Sequence, residues 1–204
     1  MDRRKESKRK VSGWIHLAVL YVFCSTVMLA SFYFLSNVSM LELLIMIPIT
    51  IMISNLTEYC VHRFPMHKLT ILKGLYKQHA GVHHRYFTND KMEIFDSIDL
   101  QEALTNSKAI LFLFAFILIP LSGLFSIISL NAGMLFLMTA LAYLMFFELT
   151  HLVTHLPRDH FLLKISYFQN AMIRHRLHHN TRLMKDWNFN VSLPIWDRVF
   201  RTLK

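Results

Sequence analysis

Ten of the twelve histidines in this 204-residue chain fall in two blocks. The first holds His62, His67, His79, His83 and His84; the second holds His151, His155, His175, His178 and His179. Neutral imidazole is a good ligand for zinc, copper, iron and nickel. The spacings suit that chemistry. His79 with His83, His151 with His155, and His175 with His179 are each four residues apart, so on a helix each pair projects from one face. His83–His84 and His178–His179 add a neighbour pointing about 100° away, which suits a place between two metals. His62 and His67 are five apart and need a break between them, for which Pro65 is at hand.

Ten imidazoles are too many for one four-coordinate zinc and about right for two metals with five ligands each. Glu58 and Glu148 lie about one helical turn before His62 and His151. They are candidates to accept the distal imidazole N–H and fix the tautomer, or to ligate directly. A lone histidine pair on a helix is more often a packing feature. Four clusters together outweigh that reading, and a bis-histidine haem would use only one or two of them.

Both blocks sit just past long apolar runs, so the elements that position them are expected to be membrane helices. Hydrophobic residues make up 54% of the chain and charged residues only 17%, where soluble domains are nearer a quarter charged. The run 14–35 has no Lys, Arg, Asp or Glu and is long enough to cross a hydrocarbon core of about 30 Å. It exceeds a signal-peptide core, and Met28 stands where a cleavage site near Ala30 needs a small residue, so it is expected to be retained. Further spans are expected over 40–61, with a kink at Pro48, over 109–128, bent or re-entrant at Pro120 and Gly123, and over 134–155. Shorter helical pieces are expected around 70–84 and 92–108.

The net charge of +9 does not point to nucleic acid, because no basic stripe alternates with stacking aromatics. All 22 Lys and Arg fall in the tail, in 62–108 or in 158–204, and the turns at 36–40 and 129–133 have none. With four spans, the three basic segments share one side, which the positive-inside rule makes cytoplasmic. The expected fold is therefore an all-α integral membrane protein forming one domain over 1–204. A basic cytoplasmic tail (1–13) precedes about four transmembrane helices. A cytoplasmic helical cap, built from blocks 62–108 and 151–204, carries the histidine-rich dimetal site, with both termini cytoplasmic. Cys24 and Cys60 lie in apolar segments and leave the redox compartment open.

The series His62-x4-His67, His79-x3-His83-His84, His151-x3-His155 and His175-x2-His178-His179 resembles the signature of the fatty acid hydroxylase/sterol desaturase superfamily. Glu58-Tyr59 before His62-Arg63, and Pro194-Ile-Trp196-Asp197-Arg198-Val-Phe200 near the end, resemble its flanking sequences. The likeness covers about 40–204 and looks most like the fatty acid 2-hydroxylase branch. Two positions depart from it. Arg201 stands where glycine is common, and Asn188-Phe-Asn190 where a glycine-flanked aromatic is usual.

The resemblance implies a non-haem di-iron oxygenase that uses two Fe ions and O2 to hydroxylate a C–H bond, with a fatty acyl chain as the expected substrate. It implies the ten histidines as metal ligands, with zinc as an alternative occupant in isolated protein. With no fused cytochrome b5 domain in the sequence, electrons are expected from a separate cytochrome b5-like protein or ferredoxin. The same absence tilts the expected location toward a bacterial cytoplasmic membrane over the endoplasmic reticulum. Two other readings stand beside this one. A sterol or carotenoid oxygenase or desaturase would share the histidines. A non-redox zinc-binding membrane protein would hold metal without oxygen chemistry.

Overall fold

The computed structural model describes residues 12–68 and 72–204, and the expected basic tail lies, up to residue 11, outside them. The described residues form helices and connecting loops, with one isolated bridge between Thr88 and Lys91. The helices are α1 (Gly13–Tyr33), α2 (Met40–Val61), α3 (Lys73–Gln78), α4 (His84–Tyr86), α5 (Ser97–Ala103), α6 (Ser107–Leu113), α7 (Ile119–Ser126), α8 (Leu130–Thr154), α9 (Ser166–His178) and α10 (Ile195–Val199). Four stretches are long and apolar enough to cross a membrane: Gly13–Tyr33, Met40–Met66, Ser97–Ser126 and Leu130–Thr154. The fold is that of an all-α integral membrane protein with a histidine-rich cluster.

Local chemistry sets the helix ends. Ser39 and Glu42 form a reciprocal cap at the start of α2: the Glu42 carboxylate accepts Ser39 N–H at 2.8 Å, and Ser39 Oγ accepts Glu42 N–H at 3.1 Å. Asp96 caps α5 by accepting the N–H groups of Ile98 and Asp99, and Asn106 caps α6 through Lys108 N–H. Helix α8 begins at Leu130, four residues before the expected span, because Ser129 Oγ accepts Ala132 N–H and starts the helix early.

Three π-helical turns were not foreseen: His62–Met66, His79–His83 and Phe114–Leu118. The third explains why Pro120 produces no re-entrant hairpin. Proline cannot donate to the carbonyl one turn back, and the widened turn just ahead absorbs the mismatch. The chain therefore stays helical from Ser107 to Ser126. Helix α2 likewise runs through Pro48.

The chain divides into two compact units. One comprises 17–54 and 106–146. Within it, Phe23 meets Phe114 edge to face with ring centroids 5.1 Å apart, and Phe125 stacks on Phe136 at 5.0 Å. Gly133 lets α7 and α8 meet closely, since a Cβ there would lie 2.7 Å from the Ser122 carbonyl oxygen. Ser126 Oγ takes that opening, and Ser122 Oγ donates to Gly133 O. The outer faces carry exposed apolar side chains such as Val22, Leu29, Phe32, Leu44 and Phe116, a surface suited to lipid and costly in water.

The other unit, 1–16, 55–105 and 147–204, holds both histidine blocks. Its core includes Tyr59, Tyr86, Phe87, Met92, Ala103 and Phe189, all almost fully buried. The Tyr86 hydroxyl donates to Asp99, which also accepts Phe95 N–H and so fixes the bend that leads into α5.

Candidate metal centre

The ten histidines converge in the second unit, nine of them in two groups. The first group is His62, His67, His79, His84 and His178; the second is His83, His155, His175 and His179. In each group one ligand atom per residue lies within 4.8 Å of all the others. Adjacent histidines are shared out. His83 goes to the second group and His84 to the first, while His178 goes to the first and His179 to the second. The four-residue pair His79 and His83 is split as well, and their rings stack at 5.2 Å.

The π-turns bring this about. Two residues five apart in a π-helix lie about one turn apart, so His62 and His67 come together over a continuous widened turn, without the break that Pro65 suggested. Pro65 sits inside that turn.

The nitrogen contacts are those of a cation shell. His79 Nε2 lies 2.9 Å from His62 Nε2 and 3.1 Å from the Nε2 atoms of both His67 and His84. One ring nitrogen carries at most one proton, so these three contacts cannot all be hydrogen bonds. His178 Nε2 adds a contact of 2.8 Å to His67 Nε2. In the second group, His175 Nε2 lies 3.1 Å from the Nε2 atoms of His155 and His179. Nitrogens about 2.1 Å from a common ion at right angles are roughly 3 Å apart. Lone pairs at such distances repel unless a cation lies among them. The residues present fit a metal ion in each group.

The opposite ring nitrogens set the tautomers. Nδ1 of His62, His83, His155, His178 and His179 donates to the carbonyl oxygens of Phe189, Glu102, Met92, Trp187 and Phe87, respectively. With the proton on Nδ1, Nε2 presents its lone pair inward. Burial holds His67, His79, His84, His155, His175, His178 and His179 well toward the neutral form, and for most of them neighbouring imidazoles add to the effect. Neutral imidazole is the state that ligates.

His151 stands apart from both groups. It is buried, its ring lies 4.7 Å from that of His175 and 5.1 Å from that of His83, and neither of its nitrogens has a hydrogen-bond partner. The two groups so defined hold five and four histidines, with His151 beside the second.

The two glutamates hold backbone. Glu58 accepts the N–H groups of Val191 and Ser192, the Ser192 hydroxyl and the Asn55 amide. Glu148 accepts Thr105 N–H. For His62 the Phe189 carbonyl takes the imidazole proton that Glu58 was expected to take, because the loop at 187–189 passes directly behind the ring, whereas neither Glu148 nor a carbonyl meets the His151 ring nitrogens. Asp197 is a supporting residue that the histidine spacing does not show. Fully buried, it accepts Phe189 N–H at 3.0 Å, Asn190 N–H at 2.7 Å and the Thr202 hydroxyl at 2.7 Å. The signal for it was present, since Asp197 lies in the Pro194–Phe200 sequence.

Searches of curated proteins and of solved structures returned no match. A family model described as fatty acid hydroxylase matches residues 47–202, which include every histidine of both groups. With that match over well more than half its length, the chain belongs to the fatty acid hydroxylase family.

Proposed function

We propose that this protein is a membrane-bound, O2-dependent lipid hydroxylase acting on a C–H bond of a fatty acyl chain. The balance is one O2, two electrons and two protons per C–H converted to C–OH, with one water released. The observation that carries this reading is the convergence of nine histidines, eight buried and His79 half-buried, into two adjacent groups in a chain of this family. His62, His67, His79, His84 and His178 would hold one iron, and His83, His155, His175 and His179 the other. Bound there, the two irons would supply the reduction of O2 and the oxidising power to break an unactivated C–H bond.

The chain's own residues do the rest. Carbonyls of Phe87, Met92, Glu102, Trp187 and Phe189 orient the imidazoles. The packing of Tyr59, Tyr86 and Phe189 around the centre excludes water. His151, with two open ring nitrogens, is placed to hold or move a proton beside the second group. Electrons come from a separate donor such as a cytochrome b5-like protein or a ferredoxin. The distribution of Lys and Arg supports placing both histidine blocks and both termini on the cytoplasmic side of the membrane.

The test begins with metal content in detergent-purified protein from iron-supplied cells. Dithionite reduction and O2 exposure with extracted membrane lipids follow. About two irons per chain and a lipid gaining one oxygen atom are expected. A lipid that loses two hydrogens instead selects the desaturase reading. Two tightly held zincs with no lipid change overturn the oxygenase.

A further inference from the structure

The stretch Phe189–Ser192 belongs to no helix or strand and bends at Val191 and Ser192. Its four consecutive amides go to two buried carboxylates: Phe189 and Asn190 N–H to Asp197, and Val191 and Ser192 N–H to Glu58. Buried N–H groups must be paired, and a single neutral acceptor for each would suffice. Two carboxylates here are more than that accounting needs.

The peptide between Phe189 and Asn190 is the informative one. Its N–H donates to Asp197 Oδ2 at 2.7 Å, and its C=O accepts the Nδ1–H of His62. Hydrogen bonds in series through one amide polarise one another. A carboxylate on the N–H makes the carbonyl oxygen a stronger acceptor, which draws the Nδ1 proton and makes Nε2 a better donor to a metal. A carboxylate acting directly on a ligating histidine has this effect; here one peptide group stands between.

Among the other carbonyl-bound histidines, His178 provides the contrast. The peptide that accepts its proton, Trp187–Asn188, gives its own N–H to the neutral carbonyl of Thr202. The two supports of the first group are therefore electrically unequal. Position is fixed from the same place. Asp197 is held by the Thr202 hydroxyl, its N–H donates to the Asn190 side chain, and Thr202 N–H donates to Asp197 O.

We infer that Asp197 is a positioning residue for the first metal group, acting on His62 through the Phe189–Asn190 peptide. The inference rests on the metal reading of the two histidine groups but not on the identity of the metal or on oxygen chemistry.

The test uses zinc-loaded full-length protein in detergent, challenged with EDTA, with retained zinc measured by mass spectrometry. Asp197→Asn and His62→Gln are each expected to lower retention from about two zincs to about one, through a 10–100-fold loss of affinity in one group. The double variant is expected to match the singles, because both act through one connection. Retention of both zincs in Asp197→Asn overturns the proposal, as does a second zinc lost in the double variant. Where Asp197→Asn does not purify folded, Thr202→Val tests the same clasp. Faster release of one zinc supports the inference, and release at the wild-type rate overturns it. Wild-type protein that holds zinc but oxidises no lipid leaves this inference standing and sinks the oxygenase alone.

Discussion

His84 and His179 stack face to face, with ring centroids 4.1 Å apart and planes 17° apart, and each belongs to a different metal group. Neither ring can tilt without moving the other. His84→Ala is therefore expected to abolish binding in the first group and weaken the second by about tenfold, a range typical of lost supporting contacts. Zinc titration of the variant against a calibrated chelator checks this, and a second group of unchanged affinity would show that the stack carries no coupling.

His151 should separate metal binding from turnover. It lies outside both groups with two unpartnered ring nitrogens. His151→Ala is expected to keep about two metals per chain, whereas His155→Ala loses one. Product formation in His151→Ala should fall by about 100-fold or more, the scale of a lost proton-transfer group. Loss of metal in His151→Ala would make it a ligand after all.

Acid should loosen the centre. Burial lowers the proton affinity of His79, His84, His155, His175, His178 and His179 below the ordinary 6.5. Between the native and ordinary values the unfolded chain binds more protons, so stability rises with pH and is lost as pH falls through about 6.5. Each titrating histidine contributes a slope of about 1.4 kcal/mol per pH unit. Thermal unfolding of metal-free protein at pH 7.5 and 5.5 should show a clear drop, and a flat profile would contradict the buried, neutral imidazoles.

Two positions that depart from the family's glycines share one backbone feature. Asn188 and Arg201 have φ of 58° and 56°, the left-handed region that glycine occupies freely. Arg201→Gly is expected to stabilise the protein by about 1 kcal/mol. Asn188→Gly should gain less or nothing, because the Asn188 side chain donates to Arg174 O and accepts Lys204 N–H. Denaturation midpoints of the two variants would decide it.

Much of this was legible in residue types and spacing. A run such as 14–35, without a single charge, specifies a spanning helix in lipid whatever its neighbours do. The adjacent pairs His83–His84 and His178–His179 point to two groups because neighbouring helical side chains diverge. The π-turns were not legible. They answer to where ligands must meet, and five-residue spacing alone reads equally well as a broken helix. Nor were the roles of Glu58, whose partners Val191 and Ser192 lie more than 130 residues away, and of Asp197, which closes a local turn onto Phe189 and Asn190. Helical spacing shows which residues share a face, not which distant carbonyl passes behind a ring.

The centre is assembled from the two ends of the molecule's synthesis. His67 meets His178 across 111 positions, and Asn55 meets Leu193 across 138. At about 5–20 residues per second, the 111 residues separating His67 from His178 take roughly 5–20 s to emerge. During that time the imidazoles of the first block have neither their fifth partner nor the carbonyls of Trp187 and Phe189. The complete five-histidine first group thus exists only once His178 has emerged, and an ion held by all five would be taken up no earlier than that.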